Sequence, residues 1–283
     1  MSIFDSFIKR HDFLVCVDSD GCVMDTMNCK HFHCFGPCMV TEWGLEAWKD
    51  EILDRWNVIN LFSMTRGINR FKGLAMALGE INLKYASIVG IRALQAWTAN
   101  APALSNEAVA RAIEEASDPE AKEIFRKTLA WSQAVNRSIV ALPEELKVPY
   151  EGAKEGLCAA HSFADVAMVS SANREAVEEE WGKFGLLEHT DIVLAQDIGS
   201  KAACISEMLK FGYDPGKVLM IGDAPGDCDA AESNGVYYYP ILVNQEKASW
   251  EEAVRVAYNK LKEGEYASYG AQKKEEFVHN LGG

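Results

Sequence analysis

The sequence is short of positive charge: 28 Lys and Arg stand against 42 Asp and Glu, for a formal net charge of −14. That balance argues against nucleic acid and anionic membrane as partners, since both need a broad basic face. A small anionic substrate is compatible with it only where the site brings positive charge of its own. Long apolar runs are missing as well. No stretch reaches the ~18 apolar residues of a membrane helix, and the opening MSIFDSFIKRHDF lacks the basic start and apolar run of a secretory signal. Cysteine is too sparse for a disulfide scaffold, at eight in 283 residues, which points to a reducing cytoplasm. Repeats and low-complexity tracts are absent too. The remaining mixture, 48% hydrophobic and 25% charged, is globular and long enough for one large domain or a core with a second domain.

The pattern along the chain changes twice. Residues 13–18 (FLVCVD) form a short apolar run ending in an acid, which predicts a buried strand. From Met27 to Lys147 the periodicity is helical, with helices expected over 42–57, 69–86 and 119–139. In the last of these Ile124, Thr128, Trp131, Val135 and Ile139 share one face, and Pro119 follows Ser117 and Asp118 as possible caps. After Pro149 short strands (165–169, 191–194, 217–221, 236–242) alternate with helical stretches (173–184, 200–211, 226–234). Such alternation predicts an α/β fold: a doubly wound parallel sheet covered on both faces, with ligands at the carboxyl ends of the strands. The tail is expected to be helical to about Glu263 and weakly specified beyond. The expected organisation is an α/β core from 1–26 and 149–283, with a helical domain over 27–148 inserted after the first strand.

Carboxylates gather at the predicted strand ends. The first strand runs into Asp18-Ser19-Asp20-Gly21 and the fourth into Gly222-Asp223-Ala224-Pro225-Gly226-Asp227. Four acids at one sheet edge repel one another unless a cation sits among them, and a partly open set of hard oxygen ligands suits Mg²⁺. Ser170 after the second strand and Lys201 at a helix start add a hydroxyl and an ammonium, the parts that hold phosphate. Asp229 reads as a helix-surface acid and Asp25 as a residue orienting the linker.

In order and spacing, Asp18–Asp20, Ser170, Lys201 and Asp223–Asp227 resemble the motifs of the haloacid dehalogenase-like superfamily across residues 13–240, and the insertion resembles the helical cap of its phosphonatase, β-phosphoglucomutase and phosphoglycolate phosphatase group. The resemblance implies a Mg²⁺-dependent phosphatase of a small phosphorylated metabolite. Asp18 would be the nucleophile that forms an aspartyl-phosphate, and Asp20 the acid and then the base. Asp18, the Asp20 carbonyl, Asp223 and Asp227 would hold the metal, with Asp227 direct or one ligand removed, while Ser170 and Lys201 bind the phosphoryl group. A sugar phosphomutase, a phosphonatase and a non-catalytic phosphate-binding protein share parts of this pattern. Phosphonatase chemistry needs a cap lysine; Lys72 is near, but Arg70 stands at the matching position. A monomer or homodimer is expected. Cys22 stands where the family usually has Thr or Val, and raises the question of oxidant sensitivity beside Asp18.

Within the insertion, Thr65-Arg66-Gly67-Ile68-Asn69-Arg70 resembles the loop such caps lower onto substrate. Arg66 and Arg70 would both face the leaving group if the turn between them is helical. Cys29, His31, His33, Cys34 and Cys38 cluster without the paired spacing of a structural zinc site, so a pocket-lining linker is the preferred reading over zinc. Residues 27–148 carry 14 basic and 14 acidic side chains, so the whole −14 belongs to the remaining residues.

Overall fold

A computed structural model describes residues 3–283. The chain divides into two compact units, one of Asn28–Pro143 and one of Met1–Met27 with Glu144–Gly283.

The Asn28–Pro143 unit is all helix: α1 (Gly36–Trp43), α2 (Lys49–Leu61), α3 (Arg70–Lys84), α4 (Ile91–Asn100), α5 (Asn106–Glu115) and α6 (Pro119–Val140), entered through a π-helical turn at His31–Phe35. Its core is Trp56, Trp131, Phe71, Leu74, Leu78, Leu94 and Val109, with Trp43, Trp48 and Trp97 packed at the margin. Helix α6 buries Ile124, Thr128, Trp131 and Val135 at helical spacing, and Asp118 caps it by accepting the Glu120 and Ala121 amides. The helix expected over 42–57 is two helices. Gly44 ends α1 with φ 65°, and a 3₁₀ turn at Glu46–Trp48 precedes α2.

The other unit holds a parallel sheet of β1 (Phe13–Val17), β2 (Ala164–Val169), β3 (Ile192–Leu194), β4 (Val218–Gly222) and β5 (Tyr237–Pro240), in the order β3-β2-β1-β4-β5. The order reverses direction at β1, so β1 and β4 lie side by side and their carboxyl ends open on the crevice where doubly wound sheets bind ligands. Strands β2 and β4 are buried along their whole length, as central strands covered on both faces must be. The one acid inside a strand, Asp165, accepts the Arg10 and His11 amides and the Tyr213 hydroxyl at the opposite end of the sheet. Helices α7 (Ala153–His161), α8 (Arg174–Lys183), α9 (Lys201–Leu209) and α10 (Pro225–Ser233) connect or flank the strands, and α11 (Glu246–Glu252), α12 (Tyr258–Lys262) and α13 (Tyr266–Asn280) follow β5. The weakly specified end of the tail is thus a 15-residue helix, α13, anchored by buried Tyr266, Lys273 and Phe277. Among the described residues no helix is long and apolar enough to cross a membrane.

Candidate active site

Strand β1 delivers Asp18 directly to the crevice. Its amide donates to the Ile221 carbonyl at 3.0 Å, extending the β1–β4 pairing by one residue. The chain then turns tightly. The Ser19 carbonyl accepts the amides of Cys22, Val23 and Met24 at 3.3, 2.9 and 2.9 Å, and Gly21 sits at φ 86°, a region that disfavours side chains. The Asp20 carboxylate accepts the Thr26 hydroxyl, which fixes its direction.

Strand β4 delivers the second acidic pair. Asp223 follows Gly222, and Asp227 stands in the first turn of α10, where its Oδ2 accepts the Ala224 amide at 3.1 Å. Gly222 makes this possible, because a Cβ there would collide with Cβ and Cγ of Asp227. Asp18, Asp223 and Asp227 are all buried and each offers an oxygen within 4.8 Å of the others. Among the described residues this is the one such grouping of three or more Asp, Glu, His or Cys ligand atoms.

Lys201, the first residue of α9, lies between two of these acids, its Nζ 2.8 Å from Asp18 Oδ1 and 2.5 Å from Asp227 Oδ1. Burial pushes the Asp18 carboxyl well above the usual range; Lys201 opposes that shift, while Asp227 and Asp223 reinforce it. Burial likewise works against the Lys201 charge, but Asp18 and Asp227 outweigh it and hold the ammonium above the ordinary lysine range. One lysine among three buried carboxylates leaves an excess of negative charge, and a hard divalent cation fits that donor set.

Ser170 follows β2 at the same edge. It is buried, its amide donates to the Leu194 carbonyl at 2.9 Å, and its Oγ accepts the Ala172 amide at 3.1 Å. Asp18, Asp20, Ser170 and Asp223 therefore sit at the carboxyl ends of strands or on the loops leaving them, and Lys201 and Asp227 in the first turns of the helices that follow β3 and β4. Asp25 accepts the Tyr150 hydroxyl at 3.0 Å, and its amide donates to the Val148 carbonyl, so it ties the outgoing to the returning segment. Asp229 is exposed on α10. The Cys22 thiol is fully buried, 3.7 Å from the Ile221 carbonyl, and burial, then Asp223, Asp18 and Asp227, push it well above the thiol range. Full burial shields this thiol from solvent, and that argues against oxidant sensitivity there.

The helical unit departs further from the sequence reading. The turn from Arg66 to Arg70 is not helical: Gly67 intervenes at φ 71°, Asn69 caps α3, and Arg70 is its first residue. The two arginines share no helical face. Arg66 is 2% exposed and donates from Nη1 to the Leu61 carbonyl at 2.9 Å. Arg70 donates from Nη1 to Ser132 Oγ at 3.1 Å and Asn136 Oδ1 at 2.7 Å, with its guanidinium 5.0 Å from the Phe35 ring. In the cysteine–histidine segment Cys29 and Cys34 are buried, His31 stacks on Phe35 at 4.6 Å, and its Nδ1 accepts the Trp56 indole N–H at 3.1 Å. Thr26, Ser132 and Asn136 had no motif to mark them, because their partners are distant in sequence or carry no spacing rule.

The family model for haloacid dehalogenase-like hydrolases matches residues 92–240, which include Ser170, Lys201, Asp223 and Asp227. The chain belongs to the haloacid dehalogenase-like hydrolases. Solved structures align with this hydrolase. One, from Lactobacillus delbrueckii subsp. bulgaricus and designated a phosphoglycolate phosphatase, aligns at TM-score 0.53 and 13% identity over 87% of this chain and 99% of that one. Another, designated a β-phosphoglucomutase from Thermotoga maritima, aligns at 0.48 and 16% over 87% and 99%. A third, a haloacid dehalogenase-like family hydrolase from Xanthomonas campestris, aligns at 0.48 and 13% over 91% and 97%. No curated protein matches the hydrolase significantly.

Proposed function

We propose that this hydrolase is a Mg²⁺-dependent phosphatase of a small phosphorylated metabolite, working through a phosphoryl group carried on Asp18. The observation that carries the reading is the placement of Asp18: a buried carboxylate at a strand end, 2.8 Å from a lysine ammonium and grouped with two further buried acids. Asp18, Asp223 and Asp227 through side-chain oxygens, and Asp20 through its backbone carbonyl, would hold the metal. When bound, Mg²⁺ supplies positive charge that offsets the charge of the transferring phosphoryl group. The protein's own groups do the rest. Asp18 attacks phosphorus and the ester bond breaks; Asp20, held by Thr26, gives a proton to the departing oxygen. Asp20 then takes a proton from the water that attacks the aspartyl-phosphate, releasing phosphate and restoring Asp18. Lys201 and Ser170 bind the phosphoryl oxygens, and positioning with electrostatics supplies most of the acceleration. On this reading Arg70 is the substrate-binding residue of the helical unit, while Arg66 shapes the loop before α3.

Turnover of a panel of phosphorylated metabolites with excess Mg²⁺ and with EDTA tests the reading. Release of inorganic phosphate that EDTA abolishes and Mg²⁺ restores is expected. Phosphate release equal in both conditions would exclude the metal-dependent mechanism.

A further inference from the structure

The turn that carries Asp18 and Asp20 is held by more than its own backbone. Ser19 is its hub: the carbonyl takes three amide N–H groups, and the side-chain Oγ accepts the indole N–H of Trp181 at 2.8 Å. Ser19 and Trp181 are both fully buried. At the far side of the same turn, the Cys22 carbonyl accepts the indole N–H of Trp250 at 3.0 Å, and Trp250 is also fully buried. The two indoles come from different elements, Trp181 from α8 and Trp250 from α11. Trp250 is itself fixed, since its ring lies against Gly156 of α7 so closely that a Cβ there would collide with it.

Apolar packing alone does not require these bonds, because a phenyl ring would fill much of the same space. Each bond instead places a buried donor on a polar atom of the turn that carries the two acids, Ser19 between them and Cys22 just beyond Asp20, and a buried hydrogen bond is worth most where its loss leaves an orphaned partner. We propose that Trp181 and Trp250 are positioning residues: their indole N–H groups clamp the Ser19–Cys22 turn and thereby hold the Asp18 and Asp20 carboxylates in register with Asp223 and Asp227. The clamp's effect on turnover rests on the phosphatase reading above, whereas its effect on the turn does not.

The test uses the full chain with Trp181→Phe and Trp250→Phe, which keep an apolar ring and remove the N–H, and with Ser19→Ala, which removes the acceptor. Amide hydrogen exchange of Cys22, Val23 and Met24 is expected to quicken by about ten-fold, an opening free energy lower by about 1.4 kcal/mol, while β4 amides keep their wild-type rates. Hydrolysis of p-nitrophenyl phosphate is expected to lose about ten-fold in kcat with KM within about two-fold. The Trp181→Phe/Ser19→Ala double variant should be no slower than the slower single one, since both remove one interaction. Unchanged exchange in the turn, acceleration spread equally over β4, or additive losses in the double variant would overturn the clamp. Should Trp181→Phe fail to fold, Ser19→Ala carries the same comparison. Should the wild type hydrolyse no phosphate ester, the exchange measurement still decides on the clamp, and only the phosphatase reading fails.

Discussion

Asp227 shows how tightly single positions are drawn at this site. One of its oxygens caps α10 through the Ala224 amide and the other meets Lys201, so the side chain has no freedom to adjust. Gly222 is the residue that admits it. Gly222→Ala is expected to push Asp227 off its place and to destabilise the fold by about 1–3 kcal/mol, as overpacking of a close interior does. Thermal melting reads the stability, and calorimetric titration with Mg²⁺ reads the ligand set; affinity should fall alongside Tm. At this scale the clustering of Asp18, Asp223 and Asp227 was legible, because acids just past an apolar run have few structural reasons to be there. Thr26, Trp181 and Trp250 were not, since a hydroxyl or an indole becomes informative only once its partner is known.

Among the elements, the parallel strands were the most legible. Each is short and mostly apolar, Asp165 of β2 being the exception, and burial along the whole of β2 and β4 suits such segments to the middle of a parallel sheet. Helices were harder. Residues 42–57 carry a helical pattern across Gly44, where the chain takes a left-handed turn instead. The tail looked weakly specified because α13 is mostly polar, and it is held by few buried residues, Tyr266 bonding to the Tyr238 carbonyl of β5 among them. The spacing of Arg66 and Arg70 suggested one helical face, but the helix starts at Arg70, which leaves the two with different surroundings. Arg70 is half-buried with neutral oxygen partners and no carboxylate within ion-pair distance among the described residues, and burial lowers its pKa. Arg70→Ala is therefore expected to lower kcat/KM for the metabolite substrate by about ten-fold or more while leaving hydrolysis of p-nitrophenyl phosphate within about two-fold. Parallel assays on the two substrates check this, and equal losses on both would place Arg70 in the structure of the helical unit rather than in recognition.

At the scale of the whole molecule, the −14 divides unevenly. The stretch 27–148 is neutral, and the remaining residues carry 14 basic and 28 acidic side chains. Three of those acids, Asp18, Asp223 and Asp227, are buried together, while others, such as Glu175, Glu178 and Glu179 of α8, lie on the surface. A strongly acidic protein can thus accept an anion, provided the cation stands inside the acidic group, as Lys201 does here and as Mg²⁺ would. The order of the motifs along the chain was legible because each falls at the end of a successive strand, and the sheet order then brings β1 beside β4. In the proposed reaction, phosphoryl transfer passes through Asp18. Its most direct test is rapid-quench mass spectrometry of the peptide containing Asp18 after mixing with Mg²⁺ and acetyl phosphate. The mass of one phosphoryl group on that peptide is predicted, absent with EDTA and absent in Asp18→Asn, which should also lose turnover. Turnover by Asp18→Asn at the wild-type rate, or a phosphoryl group trapped on another residue, would rule out Asp18 as the phosphoryl carrier.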